Sequence, residues 1–286
     1  MPNVSEVTLK TPNFPTWCPG CGDYGIWSAI KKALSELAIP QEDLVIVFGV
    51  GCSGNMADFL RSYGFHALHG RALPVAEAIK LANHRLKVLI VAGDGDTYGE
   101  GMGHFIAACR GNHDITLLVH NNQVYGLTTG QAAPTTPKER KTKSTPMGQV
   151  EVPVNPIALA VSSGATFVAR GYAGNIPVTA DLIKKGLNHT GFSLVDVLQP
   201  CVTFNKTNTH GWYNEHLDIL AADTEMTSKE AAWKLSEDPE KLHLGVYFED
   251  TTKLAYHQTI PCLSEKSLTQ QFQTTVSLKQ HLDNYR

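Results

Sequence analysis

Five short runs of consecutive apolar, largely β-branched residues recur along the first two thirds of this chain. They are Leu44–Val50, Lys87–Ala92, Ile115–Val119, Ala165–Val168 and Phe192–Leu198. Their side chains are apolar on successive positions instead of alternate ones, the pattern of strands buried on both faces of a parallel sheet. Amphipathic stretches of helix length accompany them, at Tyr24–Leu37, Val75–Asn83, Gly101–Cys109, Ile157–Ser163 and Val178–Asn188. Strand and helix in alternation predict an α/β fold with a doubly wound, mostly parallel sheet. The pattern stops at Asn205, so the 286 residues divide into a main domain over 1–204 and a C-terminal arm over 205–286. The arm is expected to be irregular or helical, with helices near Tyr213–Leu220 and Ser228–Leu235, and to contact a partner.

Composition removes several classes of function. A chain with 42% hydrophobic and 18% charged residues has a folded core. Its net charge of −3 argues against nucleic acid or an anionic membrane as the main partner. No apolar run approaches the roughly 18–20 residues that span a bilayer. Met1 to Thr16 is polar and proline-punctuated, unlike an export signal. Six cysteines are too few for a secreted disulfide scaffold. A cytoplasmic location is therefore expected, where clustered cysteines serve better as metal ligands.

Glycines gather at strand exits, at Gly49–Gly51, Gly93–Gly95 and Tyr125-Gly126. Ligands of such sheets bind beyond the carboxyl ends of the strands. The segment Pro134–Pro153, with its basic run Lys138, Arg140, Lys141 and Lys143, reads as a solvated loop, or as one ordered by a partner or anion.

Gly93-Asp94-Gly95-Asp96 follows one apolar run, and Asn121-Asn122 ends the next. One turn, helix and strand fill such an interval, which brings both polar turns to the same sheet edge. A carboxylate, an amide oxygen and a nearby carbonyl there suit Mg²⁺ that keeps its other sites for diphosphate and water. The segment resembles the thiamine diphosphate motif. That resemblance implies Mg²⁺ ligation by Asp94, the side chain of Asn122 and the carbonyl of Val124, with Gly95, Asp96, Gly126 and Leu127 along the diphosphate.

Cys18-Pro-Gly-Cys21 is a single Cys-x-x-Cys loop. Cys52 and Cys201 each follow a predicted strand and reach the same sheet edge, whereas Cys109 reads as a buried helix residue. By count, four thiolates suit either structural zinc or a four-iron cluster; a neighbouring thiamine favours iron, which transfers electrons.

Together with Gly49-Val50-Gly51-Cys52-Ser53 and His69-Gly70-Arg71-Ala72-Leu73-Pro74, these segments resemble the β subunits of the 2-oxoacid:ferredoxin oxidoreductases, over residues 15 to 210. The resemblance implies a 4Fe-4S cluster on Cys18, Cys21, Cys52 and Cys201. It implies thiamine contacts from Val50, Gly51, Cys52, Ser53 and His69, with His69 as a catalytic candidate. It further implies an α subunit, ferredoxin, coenzyme A and a 2-oxoacid, most closely 2-oxoglutarate, with CO₂ fixation as the reverse reaction. Pyruvate or broad specificity, and a non-redox thiamine decarboxylase with structural zinc, are the alternatives. Another is an electron carrier that binds no thiamine. Asn55, Thr129 and His66 are the substrate candidates. Some relatives carry lysine at the positions of Asn55 and Thr129, and many read Ala-Thr-Gly-Ile-Lys where this chain has Ala76-Glu77-Ala78-Ile79-Lys80.

Overall fold

A computed structural model describes residues 5–221, 227–271 and 278–283. The parts of the expected arm at 222–226, 272–277 and 284–286 lie outside the described residues, as do residues 1–4 of the proline-punctuated start. The described strands are β1 (Leu44–Phe48), β2 (Tyr63–His66), β3 (Lys87–Gly93), β4 (Thr116–Asn121), β5 (Phe167–Tyr172), β6 (Ser193–Leu198), β7 (Leu217–Ile219) and β8 (Leu242–Glu249). They form a sheet in the order β2-β1-β3-β4-β6-β5-β8-β7. The first six pair in parallel, β8 runs antiparallel to β5, and β7 runs parallel to β8.

The helices that matter here are α1 (Asp23–Leu37), α2 (Gly51–Gly54), α3 (Ala72–Ala82), α4 (Met102–Gly111), α5 (Pro156–Ser163) and α6 (Ile176–Asn188). They cover both faces of the sheet. Ile26, Ile30 and Leu34 of α1 and Ile183 of α6 pack with Leu89, Val91 and Leu118. Ala76 of α3, Phe105 of α4 and Ile157 of α5 pack with Ile90, Leu117 and Val119. Neighbouring residues of one strand thus enter opposite cores, which explains the unbroken apolar runs. Truncating one of these leucines or isoleucines to Ala would cost about 2–5 kcal/mol. Helix α6 begins two residues before the expected Val178, because the Asn175 side chain caps it by accepting from Val178 N.

The sheet continues beyond Asn205, contrary to the sequence expectation. Residues 210–216 form α7 (His210–His216), and the chain then extends as β7 instead of continuing a helix to Leu220. Strand β8 alternates pairs of buried residues with half-buried ones and carries His243 and Gly245, so it shows no continuous apolar run. Strand β2 was equally hidden, since all four of its residues are exposed on the sheet edge. Around it Tyr63 is 65%, Phe65 50% and Leu68 77% exposed.

The loop Pro134–Pro153 is ordered by its own hydrogen bonds and is not simply solvated. Val154 N–H bonds Pro134 O, and Glu139 and Arg140 exchange backbone bonds with Gln149, so the loop closes on itself. Its Thr135 and Thr136 are buried, while Met147, Val150 and Val152 stand in solvent. No helix among the described residues is long and apolar enough to cross a membrane.

Candidate active site

Strands β2 and β3 flank β1, so the connections leaving β1 and β3 diverge, and a crevice opens at their carboxyl ends. A cavity of about 660 Å³ fills it. The structure brings there Val50, Gly51, Cys52, Ser53, Asn55, His66, His69, Asp94, Gly95, Asp96, Asn122, Val124, Gly126 and Leu127, from the ends of β1, β2, β3 and β4 and the loops beyond them. Thr129 faces a neighbouring cavity instead. It is held in the left-handed region (φ 76°), and its hydroxyl accepts from Lys143 Nζ at 2.6 Å.

Asp94 closes β3 and is 2% exposed. Its Oδ2 accepts from Gln123 N–H at 3.0 Å and from the Thr135 hydroxyl. It enters none of the ion pairs formed among the described residues. Burial pushes its pKa up to about 7, although the Thr135 hydroxyl bond lowers it. A buried carboxylate without a cation is a costly arrangement that a divalent ion would relieve. Asn122 lies beside it: its Oδ1 accepts from Val124 N–H at 3.0 Å and keeps a second lone pair free for a metal. Gln123 bends the chain between them with φ 60°, held by the Thr136 hydroxyl on its carbonyl and by Arg140 on its side chain. One carboxylate, one amide oxygen and one carbonyl form an oxygen donor set suited to Mg²⁺.

Asp96 lines the cavity but spends its carboxylate on the backbone. Its Oδ1 accepts from Gly70 N–H at 2.6 Å and its Oδ2 from Val50 N–H at 3.2 Å. It therefore ties the loop carrying His69 and the turn carrying Cys52 to the Asp94 turn. Gly95 opens a π-helical turn (Gly95–Glu100), and a Cβ there would sit 2.3 Å from the Tyr125 ring. The Tyr125 hydroxyl donates to Gly95 O at 3.3 Å, so this glycine admits the ring that braces the two motif turns together. Glu100 also lines the cavity, whereas Glu77 faces His113 at 3.9 Å, away from the crevice.

A second cavity of about 190 Å³ is lined by Cys18, Cys21, Cys52 and Cys201. Cys52, Asn55, Asn122, Gly126 and Leu127 line both cavities, so the two share a wall. A Cβ on Gly126 would lie 3.4 Å from Cys52 Sγ and 3.9 Å from Cys201 Sγ. Burial raises the thiol pKa of Cys52 to about 12 and that of Cys21 further still. Thiolates form there only if positive charge accompanies them. No three His, Cys, Asp or Glu side chains among the described residues converge on a single metal-ion position. Four thiols on the wall of one cavity match by number the ligand set of an iron–sulfur cluster or of a zinc site. Cys109 is fully buried in α4, as expected, and Cys262 is exposed.

Four contributors escaped the sequence reading: Thr135 on Asp94, the buried Asp23–His120 pair (2.6 Å), Gln199 beside Cys21 (3.4 Å) and Lys143 on Thr129. Lys143 left a trace in sequence as a member of the basic run, and Thr135 as half of a threonine pair between two prolines.

Comparison with known proteins agrees with this geometry. Residues 49–197 match the family "Thiamine pyrophosphate enzyme, C-terminal TPP binding domain". Residues 201–265 match a second family, the C-terminal region of the pyruvate ferredoxin oxidoreductase beta subunit. The chain is 44% identical over 268 residues to the 2-oxoacid:ferredoxin oxidoreductase 2 subunit beta of Aeropyrum pernix, covering 90% of this chain and 87% of that protein. It is 38% identical over 251 residues to the 2-oxoglutarate synthase subunit KorB of Archaeoglobus fulgidus, covering 83% and 94%. Among solved structures, the 2-oxoglutarate:ferredoxin oxidoreductase from Magnetococcus marinus, with 2-oxoglutarate, coenzyme A and succinyl-CoA bound, superposes with a TM-score of 0.86. That match has 36% identity and covers 89% of this chain and 88% of that one.

Proposed function

The chain belongs to the β subunits of the thiamine-dependent 2-oxoacid:ferredoxin oxidoreductases, enzymes that need a partner subunit, and on that premise we propose which reaction it serves. The reaction is oxidative decarboxylation of 2-oxoglutarate to its acyl-coenzyme A, or the reverse CO₂ fixation, with electrons leaving through a 4Fe-4S cluster to ferredoxin. The observation that carries this reading is the shared wall: Cys52, Asn122 and Gly126 line both the cavity with the Mg²⁺ donor set and the cavity with the four cysteines.

When bound, thiamine diphosphate supplies the carbon nucleophile and electron sink, and the cluster accepts single electrons. The protein's own part is to place and shield them. Asp94, Asn122 and the Val124 carbonyl would hold Mg²⁺, while Asp96 keeps the Val50–Ser53 turn and the His69 loop at a fixed distance from it. That fixed spacing is what positioning contributes to rate. Cys18, Cys21, Cys52 and Cys201 would hold the cluster. Asn55, His66 and His69 bring polar groups to the main cavity. Asn55 and His66 are the groups there that would meet a second carboxylate of the substrate. The relatives and the solved structure named for 2-oxoglutarate support that substrate over pyruvate.

The test is anaerobic co-purification with the α subunit, followed by iron and labile-sulfide analysis and a 2-oxoacid panel with viologen reduction. A brown αβ complex that reduces dye fastest with 2-oxoglutarate and coenzyme A supports the proposal. A colourless zinc-loaded complex, or turnover without dye reduction, would overturn it.

A further inference from the structure

Cys21 differs from the other three cysteines in having polar side chains on two sides of its sulfur. Gln199, immediately after β6 and 1% exposed, directs Nε2–H at Cys21 Sγ across 3.4 Å. Its Oε1 is buried without a partner among the described residues, and the sulfur is the group its Nε2–H meets there. An amide that forgoes half its hydrogen bonds for a neutral thiol loses free energy, whereas a bond to an anionic sulfur is charge-assisted and stronger. Gly22 makes room for this: a Cβ there would lie 2.6 Å from Gln199 Cγ, and Gly22 N–H bonds Pro200 O at 3.1 Å. The contact is therefore built into the joint between the Cys-x-x-Cys loop and the end of β6.

On the other side stands Asp23, fully buried, with Oδ2 3.2 Å from the same sulfur. Its Oδ1 is bound to His120 Nδ1 at 2.6 Å, which fixes the carboxylate in place. His120 is 1% exposed and lines the larger cavity, and its Nε2 has no partner among the described residues. One buried sulfur thus meets a fixed N–H donor and a fixed carboxylate. Hydrogen bonds to a ligand sulfur favour the more negative, reduced state of an iron–sulfur centre, and a nearby negative charge opposes it.

We propose that Gln199 and Asp23 are opposed tuning residues, setting the reduction potential of the centre that Cys21 helps to hold. Gln199 raises that potential and Asp23 lowers it. The inference rests on the reading that the four cysteines carry an iron–sulfur cluster.

The experiment uses the αβ complex, purified anaerobically, with midpoint potentials read by potentiometric titration under electron paramagnetic resonance. Gln199→Leu and Gln199→Glu should both shift the midpoint to more negative values, Glu the further. Asp23→Asn should shift it to more positive values. All three should keep wild-type iron and sulfide content. Unmoved midpoints, shifts of one common sign, or loss of iron from the variants would overturn the tuning role. A wild-type complex without iron would overturn the cluster reading itself, so the two failures are told apart by the wild-type iron content.

Discussion

Asp94→Asn separates what this carboxylate costs the fold from what it contributes to the site. In the ligand-free protein burial raises the group from 3.8 to about 7. A carboxylate whose folded pKa exceeds its unfolded one binds its proton more tightly in the native state. It therefore withdraws stability as pH climbs from about 4 to about 7, and the whole cost is present above that. At roughly 1.4 kcal/mol for each pKa unit, the cost at pH 8 comes to about 4 kcal/mol at most. Asparagine keeps an acceptor for the Gln123 N–H and the Thr135 hydroxyl, but carries no charge. The stripped αβ complex bearing Asp94→Asn should thus unfold at a Tm equal to or above wild type at pH 8, with the gap closing towards pH 5. Mg²⁺ and thiamine diphosphate act in the opposite sense and narrow that gap. At a hundred times Kd they add about 2.7 kcal/mol to wild type, and should add almost nothing to the variant. Thermal unfolding at both pH values, with and without the ligands, decides the matter. A variant that retains the wild-type ligand gain, or that is less stable than wild type at pH 8 without ligand, refutes the assignment of Asp94 to the metal.

Gly95→Ala forces a methyl to within 2.3 Å of the Tyr125 ring and should cost about 1–3 kcal/mol along with cofactor affinity; adding Tyr125→Leu should recover stability non-additively in chemical unfolding. Cys201→Ser should lower iron content and viologen-linked activity together, and full dye reduction by that variant would count against Cys201 as a ligand. Asn55→Ala should raise KM for 2-oxoglutarate several-fold more than KM for pyruvate, measured by dye reduction; equal changes would remove Asn55 from the recognition of a second carboxylate.

The central sheet and both motif turns could be read from the chain because each depends on neighbours in sequence. Apolar runs follow from burial on two faces, and Asp94 and Asn122 follow from the length of one strand–turn–helix unit. Strands β2, β7 and β8 escaped because their burial depends on which strand lies beside them, and an exposed or half-buried edge leaves no continuous apolar pattern. The supports of the site escaped for a related reason. Thr135 meets Asp94 across 41 positions, His120 meets Asp23 across 97 and Gln199 meets Cys21 across 178, contacts that only the closed fold brings together. Asp96 shows the converse: its place in the motif was legible, but the Val50 and Gly70 amides that occupy it were not.

Strand β2 bears on how this protein can be handled. It forms an edge of the sheet with no strand beyond it among the described residues, next to Tyr63, Phe65 and Leu68 in solvent, and its last residue, His66, borders the large cavity. Such a border invites pairing with any extended chain that meets it. Made alone, the polypeptide should be prone to aggregation, and co-expression with its partner is the route to soluble material.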